Sequence, residues 1–264
     1  MDGERWSYTI SGHGDRVILL LPGGLAVSDS LFHLIEPLEK THRVLAISWT
    51  LSVTAVDALT DAVVAVMNAE QIARVDVVGS SYGGWLAQEL AARHPERVRT
   101  LVLVHTFHLP ASDTRSMHWR GSIAAAIQRL MPQRLFDTLL RKRADRILLA
   151  PLTAAKHADL QSWQQLVDEA VANGVLRAMT VHQLAVSRSV PSAPRDAGTA
   201  RTPVLIVESD DDPIVRRAAR AALRHHHPRA VVKTFAGTGH ITSILSTEQL
   251  VDLVECFVRG GDVT

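Results

Sequence analysis

The sequence predicts an α/β protein: a parallel sheet wound by helices and interrupted once by a long helical insertion. Three observations carry this. Strand-length apolar runs at Arg16–Leu21, Val75–Gly79, Val98–Val104 and Pro203–Val207 suit strands buried on both faces, the pattern of a parallel sheet. Stretches with apolar residues at helical spacing fall between them, so the connections are right-handed crossovers. The alternation stops at Phe107 and resumes only after Ala200, a gap of about ninety residues, far beyond ordinary loop length.

Taken in order, Trp6–Ile10 alternates like a strand and Ser11–Asp15 has turn chemistry. The run Arg16–Leu21 ends in Pro22-Gly23-Gly24-Leu25, a helix is expected over Ser30–Glu39, and Arg43–Ile47 is the next strand. Leu59, Val63, Val66 and Met67 place a helix over Asp57–Asn68, with Asp57 as its cap. The strand Val75–Gly79 leads into a helix over Gly83–Arg93, stopped by Pro95, and Val98–Val104 follows. Within the insertion, helices are expected at Ser122–Met131, Pro132–Lys142, Ala154–Ala172 and Gly174–Ser187. After it come the strand Pro203–Val207, helix Pro213–His226, strand Ala230–Phe235 and helix Thr247–Val258. The sheet segments are thus residues 1–106 and 201–264, and the insertion is 107–200.

Composition narrows the function classes. With 264 residues, 47% hydrophobic and 21% charged, the chain can fill the core of an enzyme-sized domain. A net charge of +1 argues against capture of nucleic acid or a membrane surface by the whole protein. The single cysteine, Cys256, permits no intramolecular disulfide, so a cytoplasmic location is expected. No secretory signal and no run of membrane-spanning length is evident. The insertion is basic, with 12 Lys/Arg against 7 Asp/Glu, and its Arg134–Arg146 stretch is the densest part. That density reads either as a solvated helix face or as a patch for an anionic substrate, such as an acyl-CoA or an acidic carrier protein.

The chemistry centres on Gly79-Ser80-Ser81-Tyr82-Gly83, which fits G-x-S-x-G. A strand that turns sharply into a helix crowds the positions two residues before and after the tip, and glycine has no Cβ to clash there. A serine hydroxyl is a poor nucleophile at neutral pH; it needs a base, and the base needs an orienting acid. Acids follow the strand Pro203–Val207 as Glu208-Ser209-Asp210-Asp211-Asp212. His240 follows the strand Ala230–Phe235 on the glycine-rich loop Ala236–Gly239. Nucleophile, acid and base are therefore expected as Ser81, Asp212 (with Asp211 as the alternative) and His240. The unused carboxylates would cap the next helix. Backbone N–H groups of Tyr82 and of Gly24, with Leu25 second, are expected to hold a developing oxyanion. His225-His226-His227 read as a helix end rather than a metal tract, because successive helical residues point about 100° apart. No metal site is expected. Trp85, Phe107, Met117, Trp119, Ile241 and Ile244, with Leu25, are pocket candidates, with ordinary core packing the competing and commoner reading of such apolar residues.

The motifs L-L-L-P-G-G (Leu19–Gly24), V-G-S-S-Y-G-G (Val78–Gly84), S-D-D-D-P-I-V (Ser209–Val215) and G-T-G-H (Gly237–His240) resemble those of the α/β-hydrolase superfamily, over essentially the whole chain. The resemblance implies an eight-stranded, mostly parallel sheet with helices on both faces and a helical cap (lid) inserted after the sixth strand. It also implies a Ser81–Asp212–His240 triad and no cofactor. Two departures stand out. Pro22 occupies a position where the family usually has histidine, so different hydrogen bonds should shape the oxyanion loop. Ser48-Trp49-Thr50-Leu51 and Val104-His105-Thr106-Phe107 resemble the maspardin-like branch more than typical esterases.

The expected activity is hydrolysis of a small-molecule ester, thioester or lactone through an acyl-enzyme on Ser81. Acyl transfer, cyclisation or lyase-type processing on the same serine is the first alternative, and a non-catalytic scaffold with a vestigial triad is the second. A serine rather than an aspartate at the tip excludes chemistry that needs a carboxylate nucleophile.

Overall fold

The computed structural model describes residues 6–109, 130–190 and 202–262. These fall into two compact units, one holding all the described strands and the other built from Leu51–Leu59 and the helices between 130 and 190.

The strands of the first unit are β1 (Tyr8–Gly12), β2 (Val17–Leu21), β3 (Arg43–Ile47), β4 (Val75–Ser80), β5 (Val98–Val104), β6 (Val204–Ser209) and β7 (Val231–Phe235). They form one sheet in the order β1-β3-β2-β4-β5-β6-β7. Only β1 runs antiparallel, pairing with β3; the other five pairings are parallel. The eight strands implied by the family pattern become seven among the described residues, so the helical segment follows the fifth strand rather than the sixth.

Burial explains the order. Every residue of β2 and β6 is buried, and β4 is buried up to Ser80. These strands occupy the middle of the sheet, where only β-branched and leucine side chains fit both faces. β7, at the edge, is half-buried. Polar residues interrupt the apolar code at Glu208 and Ser209 of β6 and at Asp76 of β4, and Asp76 is fully buried. Its carboxylate takes a bidentate pair from Arg16 (Nε 3.0 Å, Nη2 2.9 Å), Arg99 Nη1 at 2.9 Å and Thr100 Oγ1 at 2.8 Å. A buried charge is tolerated when its lone pairs are filled in this way. The cluster stitches β2, β4 and β5 together at the end of the sheet opposite Ser80.

The helices are α1 (Phe32–Leu38), α2 (Val56–Ala69), α3 (Tyr82–Arg93), α4 (Gln133–Ala144), α5 (Ala150–Ala154), α6 (Leu160–Ala172), α7 (Val175–Arg188), α8 (Arg217–His226), α9 (Thr242–Leu245) and α10 (Thr247–Val258). α3 packs on β4 and β5, and α1 and α10 lie together, with Leu34, Leu38, Leu250, Val254 and Phe257 in a core shared with Ile18, Val44, Val78, Val102 and Leu205 of the strands. Asp57 sits in the first turn of α2 rather than at its cap.

In the second unit, α4 runs through a π-helical turn (Asp145–Leu149) into α5. The single helix expected over Ala154–Ala172 is broken, because the chain reverses at Lys156, which adopts a left-handed φ of 51°. Leu148, Leu149, Leu152, Trp163, Val167, Met179 and Val186 are among the buried residues of this unit. Arg141 ties α4 to Asp145 at 2.7 Å and to Asp168 of α6. Leu51–Leu59, counted with the sheet domain on sequence, groups here through the His182 Nδ1–H bond to the Leu51 carbonyl (3.1 Å) and the Val56 N–H bond to Ser189 Oγ (2.8 Å). The predicted helix over Ser122–Met131 lies outside the described residues except for its last two positions.

The glycines of the tight turn are required by space. A Cβ on Gly83 would stand 2.2 Å from the Leu21 carbonyl oxygen, and one on Gly79 would stand 2.6 Å from the Gly83 oxygen. Both obstacles are backbone and cannot swing away. Gly83→Ala should therefore destabilise the protein by about 1–3 kcal/mol or more, as overpacking does. Thermal melts should show this as a Tm several degrees lower. Gly24→Ala, whose Cβ meets nothing within 4 Å, should leave Tm unchanged.

Candidate active site

The site is assembled from the C-terminal ends of β4, β5, β6 and the loop after β7. Ser81 follows the last residue of β4 and precedes α3, with φ 52° and ψ −116°. A non-glycine residue holds such angles only where its surroundings over-determine them. Here they do: Ser81 N–H donates to the Val104 carbonyl (2.8 Å), and the Ser81 carbonyl accepts from Thr106 Oγ1–H (2.6 Å), Gly84 N–H (3.1 Å) and Trp85 N–H (3.2 Å).

Two side chains line up behind the hydroxyl. His240 Nε2 lies 3.1 Å from Ser81 Oγ, and His240 Nδ1 lies 2.8 Å from Asp212 Oδ2. With the carboxylate accepting Nδ1–H, Nε2 presents its lone pair to the serine, the tautomer a general base needs. Asp212 Oδ1 accepts from the backbone N–H groups of Ile214 (2.8 Å) and Val215 (2.9 Å). Burial alone would push this carboxyl up in pKa, but the hydrogen bonds from His105 and His240 outweigh it. They hold Asp212 well below the usual carboxylate range, so it is an anion at neutral pH.

The structure distinguishes the acids of the 208–212 run. Asp212 reaches His240, whereas Asp211 Oδ1 accepts from Ser209 Oγ (2.6 Å) and Gly239 N–H (2.8 Å), and Asp210 Oδ1 accepts from Gly237 N–H (3.0 Å). Asp210 and Asp211 therefore shape the loop that carries His240. They do not cap the following helix, which starts at Arg217 rather than Pro213 and has Arg216 at its N-cap. Glu208 is buried against Arg224 and Thr234 Oγ1.

Two residues not singled out on sequence hold this site. His105, directly after β5, places Nδ1 3.0 Å from the same Asp212 Oδ2, and its Nε2 accepts Thr242 N–H at 3.3 Å. Burial lowers its pKa, against the opposing pull of Asp212, so the ring is neutral at pH 7. A histidine immediately after a buried strand, at the sheet edge that carries the acids and His240, is the signal that could have found it. Trp49 is the second. Its Nε1–H donates to the Pro22 carbonyl at 2.9 Å, and its N–H donates to the Ala26 carbonyl at 2.7 Å. The loop where the family usually has histidine is thus pinned by an indole instead.

Of the oxyanion candidates, Tyr82 adjoins the serine in the chain as the first residue of α3 and is buried. Of the two glycines in the Pro22–Leu25 turn, Gly23 is the one near the serine: a Cβ on it would meet Ser81 Cβ at 3.3 Å. Gly24 is exposed in open space one residue further on. Among the pocket candidates, Trp85, Ile241 and Ile244 are buried, Leu25 and Phe107 are half-buried, and Met117 and Trp119 lie outside the described residues. Trp85 packs against Tyr82 with ring centroids 5.6 Å apart.

His105, Asp212 and His240 form, among the described residues, a group close enough to hold a metal ion, with one ligand atom from each within 4.8 Å of the others. Asp212 Oδ2 is already hydrogen-bonded to Nδ1 of both rings. The other histidine cluster is peripheral. The His108 ring stacks on His226 at 3.5 Å and 12°, His226 meets His227 edge-on, and His227 Nε2 faces Gln88 Oε1 at 3.2 Å. Parallel rings at that distance cannot aim their lone pairs at one ion.

That cluster has a consequence for stability. Burial, then the neighbouring histidines, push His108 and His227 down to about 4. An unfolded chain protonates its histidines near pH 6.5. Between about pH 6.5 and 4 it binds protons that the folded chain refuses, so this part of the stability is complete above that window and is lost as pH falls through it. Tm should be lower at pH 5 than at pH 7.5, and His108→Phe, which keeps the stacking but cannot titrate, should narrow the difference.

Comparison with known proteins agrees with the geometry. A family model described as alpha/beta hydrolase fold matches residues 16–247. The chain belongs to the alpha/beta hydrolase family. This alpha/beta hydrolase is 27% identical over 203 residues to a 2-hydroxymuconate semialdehyde hydrolase of Pseudomonas putida, covering 75% of this chain and 67% of that protein. A second protein of that name, from Pseudomonas sp. (strain CF600), is 52% identical over 48 residues. That match spans only 18% of this chain and 17% of the relative's length. Among solved structures, the enol-lactonase from Burkholderia xenovorans LB400 superposes with a TM-score of 0.75 at 18% identity, covering 98% of each chain. None of the described helices of this alpha/beta hydrolase is long and apolar enough to cross a membrane.

Proposed function

We propose that this protein is a serine hydrolase that cleaves a carboxylic ester, thioester or lactone through an acyl-enzyme on Ser81. The observation that carries the reading is the unbroken relay from Ser81 Oγ through both nitrogens of His240 to Asp212. In the first half-reaction His240 Nε2 takes the Ser81 proton as Oγ attacks the carbonyl carbon. Asp212 stabilises the imidazolium that forms, and the N–H groups of Tyr82 and Gly24 receive the oxyanion. The imidazolium then gives its proton to the departing alcohol or thiol. In the second half, water attacks the acyl-enzyme, again losing its proton to His240, and the acid is released with Ser81 restored. Side chains, backbone and water supply every group in this sequence.

A second reading is favoured by the relatives' names. On it, the same serine attacks a ketone-type carbonyl of a 2-hydroxymuconate-semialdehyde-like compound, and water is added across a carbon–carbon bond. Residues 107–200 would serve as the lid on either reading. The exposed Arg134, Lys142, Arg143 and Arg146 on and after α4 would suit an anionic substrate. A panel of graded esters, thioesters, lactones and 2-hydroxymuconate semialdehyde, with Ser81→Ala as blank, separates the two. Serine-dependent turnover of an oxygen or sulfur ester supports the first. Turnover of the semialdehyde alone would replace it with the second. Acyl group recovered on another acceptor, with no labelled acid formed in labelled water, would move the first reading from hydrolysis to acyl transfer.

A further inference from the structure

We propose that His105 is a positioning residue of this site, locking the triad acid and the base-carrying loop into register through its two ring nitrogens; the proposal rests on Ser81 being the nucleophile. The chain is bent out of its way to place this ring. β5 ends at Val104, and His105 adopts a left-handed φ of 47° that histidine rarely takes. Its own N–H still donates to the Val207 carbonyl (2.9 Å), so the backbone stays tied to β6 while the side chain turns inward. The side chain is 1% exposed.

The two hydrogen bonds fix one tautomer. Thr242 N–H can only donate, so Nε2 must accept. A neutral imidazole that accepts at one nitrogen donates at the other, and Nδ1–H therefore points at Asp212 Oδ2. That oxygen then takes two donors, His105 and His240, while Oδ1 takes the two backbone N–H groups. Four donors leave the carboxylate one orientation. The Thr242 end acts on the base: this amide lies two residues beyond His240, at the start of α9, so holding it fixes the loop from which His240 reaches back. The His105 ring also packs against that of His240, with centroids 5.3 Å apart. Its neighbours complete the hub. Val104 accepts the Ser81 N–H and Thr106 donates to the Ser81 carbonyl, so the last residue of β5 and the two that follow it set nucleophile, acid and base together.

A ring that merely filled space would be replaceable by an apolar side chain of similar size, and this separates the alternatives. His105→Leu should cut the rate constant for reaction of Ser81 with a fluorophosphonate by about 10- to 100-fold, the loss expected for a hydrogen bond to a charged group. The reagent's binding constant should be unchanged. His105→Asn, whose Nδ2–H can occupy the place of Nδ1–H and which tolerates the left-handed backbone, should recover most of the rate. Nitrogen-15 histidine spectra of the intact chain should show His105 protonated at Nδ1 and bare at Nε2, and His105→Leu should shift the His240 Nδ1–H signal. A His105 proton on Nε2, or a folded His105→Leu that reacts at the wild-type rate, would overturn the proposal. A wild type that does not react with the reagent overturns the serine-hydrolase reading, and the proposal with it.

Discussion

Ser81→Ala and His240→Ala should each lower kcat by about 10⁵- to 10⁶-fold, and the double variant should be no slower than either single one. The reason lies in the relay. Without Ser81 Oγ there is nothing for His240 to deprotonate except water. Without His240 the hydroxyl must lose its proton to solvent, although it still sits on the strained turn at φ 52°. Either loss removes the same transition state, so the costs do not add. Stability should behave differently from activity. Ser81 is half-buried, and its backbone bonds to Val104, Thr106, Gly84 and Trp85 do not involve the hydroxyl. Ser81→Ala should melt within a degree or two of wild type. Steady-state kinetics on whichever substrate the panel identifies, paired with thermal melts, checks both statements.

Asp212→Asn is expected to cost about 10⁴-fold in kcat with the fold intact. Hydrogen-bond polarity sets this cost. The Oδ1 position must remain an acceptor, because the Ile214 and Val215 N–H groups point at it. The amide nitrogen of an asparagine then falls where Oδ2 was, facing two histidine Nδ1 atoms that both donate in the native protein. Both rings would have to give up their Nδ1 protons. For His240 this transfers the proton to Nε2, which would donate toward Ser81 Oγ instead of accepting from it. For His105 it sets Nε2–H against Thr242 N–H. One oxygen-to-nitrogen exchange thus inverts two tautomers, and the loss should exceed that from any single change at His105.

Much of this was legible in sequence because the physics behind it is local. Strands buried on both faces must be mostly apolar, so β2, β4, β5 and β6 announced themselves. The turn after β4 admits only glycine at 79 and 83, which marked Ser81 between them. Ser81, Asp212 and His240 were singled out because strand ends are where a parallel sheet presents side chains. What stayed hidden depends on contacts between distant segments. Asp211 and Asp212 are adjacent, and only the path of the chain gives one of them to His240 and the other to Gly239. His105 is one of 13 histidines until β5 and β6 are placed side by side. The Trp49 bond to Pro22 joins two loops 27 residues apart, and nothing in either loop alone predicts it. The start of α8 was placed too early because the proline at 213 suggests a first turn, whereas Asp212 draws the next two N–H groups to itself and delays the helix to Arg217.

The central claim is that Ser81 is a nucleophile activated by His240. Intact-mass and peptide mapping after treatment with a fluorophosphonate tests it most directly. The account predicts one adduct per chain, on the peptide containing Ser81, absent in Ser81→Ala and strongly slowed in His240→Ala. An unmodified wild-type chain, or an adduct that persists in Ser81→Ala on Ser80 or elsewhere, would contradict it.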